Sequence, residues 1–585
     1  MSQAADTPLE TRIPHPALAL RDANSQFDGG DVSFIAVCGI LVFFMVPGVA
    51  FLYSGLSRRK SALSLVWAVA ASNAVVIFQW WFWGYSLAFS PTATNGYIGD
   101  LRSFALRKVL GDPSPGSPLV PELLYSFYQM EFACVTVAIL MGALAERGRV
   151  FPAMVFTFIW MTIVYCPIAC WAWNINGWGF KWGVLDYAVH HLFPTTPASA
   201  STSTTITIIT PQHPPKRRAR APGGGPVEIA SGISGLAYSW ALGRRSEREL
   251  RNFRPHNVSL VGLGTFVLWF GWLGFNGGSA FGANLRALVA IWNSMLAAAM
   301  SGIVWCLLDF RIERKWSMVG FCSGTIAGLV AATPASGYIP QWAALVMGIV
   351  VGAVSNYSTK LKYILRIDDA LDLCAEHAIG GMLGLLFNAL FADSAIIALD
   401  GVNTSAAGGW LNHNWKQLYV QIAYIAACTA YSFVVTAAVA RALDCVPTLH
   451  LRATPEEEML GMDDAEIGEF ASDYIEVRRD YLDWSPLYHA KSETESDMPP
   501  TTTTTKSAAA GATGVPAAGD RHGVPDADLG LGHGPDAVPM RTLNGHGHAN
   551  GSGNGGEVNG KANGGALAPI LEKAEGGKGG KDGAS

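Results

Sequence analysis

Charge is what this sequence has least of. Its 585 residues include 40 basic and 45 acidic ones, 15% of the chain, against roughly 25% in an ordinary soluble protein. Roughly two-fifths of those charges lie after Ala442, so the region before it is poorer still. That scarcity excludes a soluble enzyme of several domains. The nine cysteines show no metal-ligand spacing and fall within or at the ends of apolar segments, which reads as buried thiols rather than a disulfide framework. The first 30 residues lack a basic stretch ahead of an apolar core, and no small-residue cleavage site follows. The first span is therefore expected to be retained as a signal anchor. A net charge of -5 points to no nucleic-acid partner.

What is present instead is a recurrence of apolar stretches about 20 residues long. They predict helices over 33–56, 62–90, 122–145, 150–173, 226–243, 258–281, 283–308, 317–333, 341–358, 370–393 and 417–442. The fold class is thus an all-α polytopic membrane protein, with its termini on opposite sides of the lipid bilayer. Basic residues choose the sides. Arg58, Arg59 and Lys60 follow the first span, Arg147 and Arg149 the third, and Arg244, Arg245, Arg248, Arg251 and Arg254 the fifth. Arg311, Arg314 and Lys315 follow the seventh, and Lys360, Lys362 and Arg366 the ninth. By the positive-inside rule these loops are cytosolic, which leaves the N-terminus outside and the C-terminus inside.

Four regions follow: an extracellular segment over 1–30, a multi-helix membrane domain over 31–442, a cytosolic segment over 443–490, and a low-complexity tail over 491–585. One stretch of the domain breaks its pattern. Val189 to Pro222 is rich in Ser, Thr and Pro and places Lys216, Arg217, Arg218 and Arg220 on the extracellular side. Its composition cannot support a packed core, and it reads either as a surface insertion or as non-coding sequence carried into the translation. Ala453 to Asp480 mixes acidic and apolar residues in a way that suits docking on the cytosolic face. Beyond Lys491, the Thr run and the Gly/Asn/His repeats read as disordered. His522, His533, His546 and His548 are scattered there without metal-ligand spacing.

Of 13 histidines, His377 alone falls within an expected span. An ionisable group in hydrocarbon is costly unless it has a partner or faces a cavity, so it is a functional candidate by default. Asp368, Asp369 and Asp372 lie at the start of the same span and suit helix capping; Glu376 lies deeper. The other acids expected to be buried are Glu131, Asp186 and Glu228. Glu228 follows Gly223, Gly224, Gly225 and Pro226, a run that suggests a helix starting inside the protein. Trp171 and Trp173 close the fourth span, and Phe275 lies among glycines in the sixth. Aromatic faces attract small cations, although aromatics at span ends also form interfacial belts.

Five stretches carry a resemblance. They are PGVAFLYSGLSRRKSALS (Pro47–Ser64), FACVTVAILMGALAER (Phe132–Arg147), GWLGFNGGS (Gly271–Ser279), CSGTIAGLVAATPASGYI (Cys322–Ile339) and DDALDLCAEHAIGG (Asp368–Gly381). In that order, across about residues 30–480, the chain resembles the ammonium transporter, methylammonium permease and Rhesus-protein superfamily. The resemblance implies eleven transmembrane helices, two inverted five-helix halves plus a final helix, assembled as a homotrimer in the plasma membrane. It implies that Trp173, Phe132 and Ser279 recruit ammonium or methylammonium, with Asp186 buried beneath them. It also implies that Phe132 and Phe275 gate the pore and that His377 is the second of two pore histidines.

At the position of the first pore histidine stands Glu228, a departure similar to one subgroup of fungal permeases. Glu131 also differs from the small residue common before the gating phenylalanine. Removing 189–222 would join Ala188 to Gly223 as the family does, which favours the non-coding reading of that stretch.

The expected function is ammonium uptake: recruitment outside, deprotonation, and inward passage of ammonia with a proton moving through Glu228 and His377. No cofactor is expected. An alternative is an ammonium sensor that signals to cytosolic partners through the acidic segment and tail. An intramembrane enzyme is disfavoured, since no nucleophile motif or metal triad accompanies Glu228 and His377.

Overall fold

The computed structural model describes residues 26–187, 223–246, 254–404 and 406–471. The chain divides into two units, Met1–Glu495 and Ser496–Ser585. The second unit, the 189–222 stretch and the tail all lie outside the described residues.

With no water to satisfy backbone groups at membrane depth, each apolar stretch must pair its amides within itself, and a helix does so. The helical stretches are α1 (Gly29–Leu56), α2 (Arg59–Phe89), α3 (Glu122–Leu144) and α4 (Val150–Trp182). After them come α5 (Ala230–Leu242), then α6 (Val258–Gly278), α7 (Leu285–Glu313), α8 (Met318–Ala335), α9 (Gln341–Leu365), α10 (Cys374–Phe391) and α11 (Gln417–Asp444). Ten helices among the described residues are long and apolar enough to cross a membrane. The expected fifth span is not one of them, because α5 is short and rich in Gly and Ser, although most of it is buried.

Local chemistry sets the helix starts. Asp28, Asn257, Asn284 and Ser317 accept backbone N–H groups at the first turns of α1, α6, α7 and α8, as capping residues do. Pro47 has no N–H to give Phe43, and α1 breaks and restarts at Phe44. α1 crosses α6 closely at glycines. A Cβ on Gly48 would lie 3.0 Å from the Leu268 nitrogen, and one on Gly264 would lie 2.5 Å from that of Leu52.

The face carrying Arg58, Arg147 and Arg245, here the basic face, holds a buried charge network. Glu146 accepts from Arg58 Nε and Arg245 Nη1, both at 2.8 Å. Asp368 accepts from Arg245 Nε and Nη2, both at 2.8 Å, and lies 3.8 Å from Arg147 Nη1. This corrects the expectation for the acids before α10. Asp369 does cap, accepting Cys374 N–H at 2.9 Å, but Asp368 and Asp372 pair with cations, Asp372 with Lys362 at 2.7 Å. Residues 367–372 are non-helical, with Asp372 at a left-handed φ of 56°, so α10 starts later than the expected 370. Burial would raise the Asp368 carboxyl, but hydrogen bonds and charge from Arg245 and Arg147 outweigh it and hold the group well below its usual range. A depressed folded value means that the pairing contributes stability above about pH 4 and loses it only in strong acid.

The segment after α11 packs on the same face. Ala453 N–H donates to Arg147 O at 3.0 Å, Arg149 N–H to Leu451 O at 2.9 Å, and Lys60 Nζ to Met459 O at 2.6 Å. Asp463 accepts Leu63 and Ser64 N–H at 3.0 and 2.7 Å, at the start of α2. Glu466 accepts Val150 N–H at 3.1 Å, at the start of α4. Seven cysteines are buried as expected, whereas Cys374 is half-buried and Cys445 exposed.

Asp368→Asn leaves the buried Arg147 without its ion-pair partner and Arg245 with Glu146 alone, and the expected loss is about 3–5 kcal/mol. Thermal unfolding of the purified protein in detergent checks this; a midpoint equal to that of the parent chain would show that the network is not stabilising.

Candidate functional site

Two wide helical turns face each other in the buried interior. Gly224–Ile229 leads into α5, and Cys374–Ala378 opens α10. In each the N–H reaches back five residues, from Ala230 to Gly225 O and from Ile379 to Cys374 O. Such π-helical turns rotate side chains out of ordinary register and are frequent at functional sites. Glu228 lies in the first and His377 in the second. Glu228 is 0% and His377 4% exposed, and Glu228 Oε2 lies 2.9 Å from His377 Nδ1. Their approach needs glycine on α10, because a Cβ on Gly381 would lie 2.7 Å from the Cβ of Glu228.

Beside Glu228 is the Thr333 hydroxyl, which accepts Trp272 Nε1–H at 2.8 Å and donates to Leu329 O at 3.0 Å. Trp272 in turn packs against Phe275, with ring centroids 5.8 Å apart. Phe275 and Phe132 meet with centroids 3.9 Å apart. Ser279 donates to Phe275 O at 2.5 Å, which leaves the lone pairs of its oxygen to accept.

Asp186 is wholly buried. Its carboxylate accepts Gly224 and Gly225 N–H at 2.6 and 3.0 Å and Tyr424 Oη–H at 3.3 Å, a carboxylate set at the amide end of a helix. The residues on either side of the 189–222 stretch are therefore in direct contact. Trp173 is 1% exposed and lies parallel to Phe89 at 6.2 Å. It connects to Phe132 through a chain of ring contacts over Phe89, Tyr125, Phe281 and Tyr128.

Glu131 is buried, and its Oε2 has no hydrogen-bond partner among the described residues. Glu376 faces a cavity of about 690 Å3 on the basic face, lined also by Leu56, Arg245, Lys362 and Asp372. Glu376, one of its lining residues, directly precedes His377 in the chain.

Sequence reasoning missed Tyr128. It lies one turn before Phe132 on the same side of α3, and its hydroxyl donates to Phe275 O at 2.7 Å and lies 3.4 Å from Ser279 Oγ. The i, i+4 spacing from Phe132 was the available signal. Thr333 and Trp272 carried none, since their bond joins α8 to α6.

The family model of the Ammonium Transporter Family matches residues 33–472. This chain belongs to the ammonium transporter family. It is 52% identical over 459 residues to ammonium transporter MEP3 of Saccharomyces cerevisiae, covering 78% of this chain and 86% of that protein. To ammonium transporter 2 of Schizosaccharomyces pombe it is 49% identical over 467 residues, covering 79% and 85%. The crystal structure of Candida albicans Mep2 superposes with a TM-score of 0.66 at 43% identity, over 77% of this chain and 92% of that one. This chain carries Glu228 and His377 as a buried pair, and the residues beyond 472 lie outside the match.

Two predictions test this geometry. Trp173→Leu tests the expected recruitment role: an aromatic face turned to a desolvated cation is worth roughly 1–2 kcal/mol, so with that role half-saturation for methylammonium should rise about 5- to 30-fold. Unchanged uptake at low and high concentration, from protein at the surface, would reduce Trp173 to a packing residue. Because Tyr187 and Gly223 flank a contact already made, deletion of Val189–Pro222 should leave surface expression and uptake within about twofold. A misfolded deletion protein would show that the stretch is integral.

Proposed function

We propose that this protein takes up ammonium across the plasma membrane, moving ammonia and a proton inward by separate routes. The carrying observation is the 2.9 Å contact between Glu228 and His377, which Thr333 and Trp272 link to Phe275, while Ser279 lies one turn after Phe275. In this reading the basic face is cytosolic, α5 counts as the eleventh span, and the first ten helices form two inverted halves. Residues 1–30 are extracellular, 31–442 form the transport domain, 443–490 are cytosolic and regulatory, and 491–585 form a separate tail. The assembly is a homotrimer.

The physical problem is to accept ammonium and refuse potassium, which has similar size and the same charge. Stripping water from either ion without replacing its ligands is very costly. Ammonium differs in having four protons to donate and one to lose. Trp173 and Phe132 offer aromatic faces, and Ser279 offers an acceptor oxygen already oriented by its bond to Phe275 O. Asp186 supplies negative charge beneath the recruitment site, held by two backbone amides. Deprotonation above the rings leaves neutral ammonia, for which an apolar passage is no barrier. The proton passes along the carboxylate and the imidazole, whose ring nitrogens can take up and give up a proton, toward the cavity beside Glu376. Methylammonium satisfies the same requirements. Potassium can neither donate nor deprotonate.

The test is methylammonium uptake with simultaneous current recording, in cells lacking their own ammonium permeases. Glu228→Gln keeps the shape and removes the exchangeable proton of the carboxyl, so current should fall by more than substrate binding does. Glu228→His should retain transport with a shifted pH profile, since a group with an unperturbed pKa of about 6.5 replaces a carboxyl. His377→Ala should be the more damaging. A parental current and pH profile in surface-expressed Glu228→Gln would make Glu228 a structural acid. No uptake and no current from the correctly placed parent protein would sink the whole reading.

A further inference from the structure

Arg286, in the first turn of α7, is a cation removed almost wholly from water, 2% exposed. Its guanidinium lies over the rings of Tyr187 and Tyr338, 4.9 and 5.0 Å from their centroids. Nη1 donates to Asp400 Oδ2 at 2.7 Å, and Nε donates to Gly337 O at 2.9 Å. Asp400 is itself fixed by the amides of Val402 and Asn403, both at 2.8 Å. A buried charge is tolerated when it is paired and hydrogen-bonded in this way, and aromatic faces add to its stabilisation.

Both rings that Arg286 holds bear on Asp186. Tyr187 is the next residue in the chain, and its amide donates to Pro334 O at 3.0 Å. Tyr338 donates its hydroxyl to the backbone oxygen of Asp186 at 3.3 Å. We infer that Arg286, clamped to Asp400, is a positioning residue that holds Asp186 against the amides of Gly224 and Gly225.

This chain needs such a clamp because its covalent path leaves the site at Tyr187 and returns at Gly223. A short link would confine Asp186 through the few rotatable bonds between it and Gly224. With 188–222 between them in sequence the covalent link is a long one, and a link's hold on its ends weakens as it lengthens. Side-chain contacts must supply what the backbone does not. Pairing with Asp400 also keeps the guanidinium from presenting net positive charge beside a route for cations.

The inference rests on the recruitment role proposed for Asp186. The test compares methylammonium uptake by surface-quantified variants in the full chain and in a chain lacking Val189–Pro222. Arg286→Met with Asp400→Asn removes the clamp without leaving a lone buried charge. In the full chain it should raise half-saturation about tenfold with maximal rate within about twofold, a split that a general loss of fold would not give. Tyr338→Phe, which removes one hydroxyl, should raise half-saturation about threefold with the same split, and it decides the matter if the double variant fails to reach the surface. In the deletion background each effect should shrink to less than about twofold, because the short link now restrains Asp186. Equal effects in the two backgrounds, or unchanged half-saturation in the full chain, would make Arg286 a structural ion pair and overturn the inference. Asp186→Asn separates the two levels. A parental half-saturation in that variant sinks the recruitment role and the clamp with it; a raised half-saturation or lost uptake there, with parental Tyr338→Phe and Arg286→Met/Asp400→Asn, sinks the clamp alone.

Discussion

A carboxylate and an imidazole 2.9 Å apart, both sealed from solvent, set the terms for the surrounding structure. Neither group is tolerable alone at that depth, so each must be aimed at the other with little slack. The aim comes from backbone irregularity: one extra residue per turn at Gly224–Ile229 and again at Cys374–Ala378. Those turns need anchoring. Asp186 binds the amides at the head of the first, and Asp369 caps the second through Cys374. Asp368 ties the turn before α10 to Arg245 and so to Glu146, two residues past the end of α3. The ion pairs of the basic face and the buried pair thus belong to one chain of constraints.

Much of this was legible from residue order. Apolar length alone located the helices, and His377 stood out because a histidine in an apolar stretch has few innocent explanations. Family motifs brought Asp186, Ser279 and Phe275 into view before any coordinates did. What resisted reading was pairing across helices. Asp368 and Asp372 have the local signature of helix caps, yet the cations that claim them lie at Arg245 and Lys362. Arg286 looks like an interfacial cation near a helix start, and nothing nearby in sequence announces Asp400 or the two tyrosines. The π-helical turns leave no periodic trace. α5 escaped the criterion for a spanning helix because small residues that let helices approach closely also lower its apolar content.

The arginines that indicated sidedness turn out to have a second use. Arg147 and Arg245 are not free surface cations attracted to lipid headgroups; they are at most 5% exposed and bound to Glu146 and Asp368. A residue can therefore satisfy a topological rule and an internal electrostatic one together. Substituting lysine would satisfy the first and fail the second, because a single ammonium cannot reproduce the fork that Arg245 presents to two carboxylates.

The segment after α11 holds on at two helix ends, with Asp463 on the first amides of α2 and Glu466 on that of α4. Two attachments on one short strip behave as a bivalent ligand. When either carboxylate lets go, the other keeps it within a few residues of its seat, at an effective concentration in the millimolar range, and it rebinds before the strip can diffuse away. Single-site fraying is therefore self-healing, and departure requires both grips to fail together with the bonds to Lys60, Arg147 and Arg149. Weakening one contact therefore changes the strip's occupancy little while the others hold.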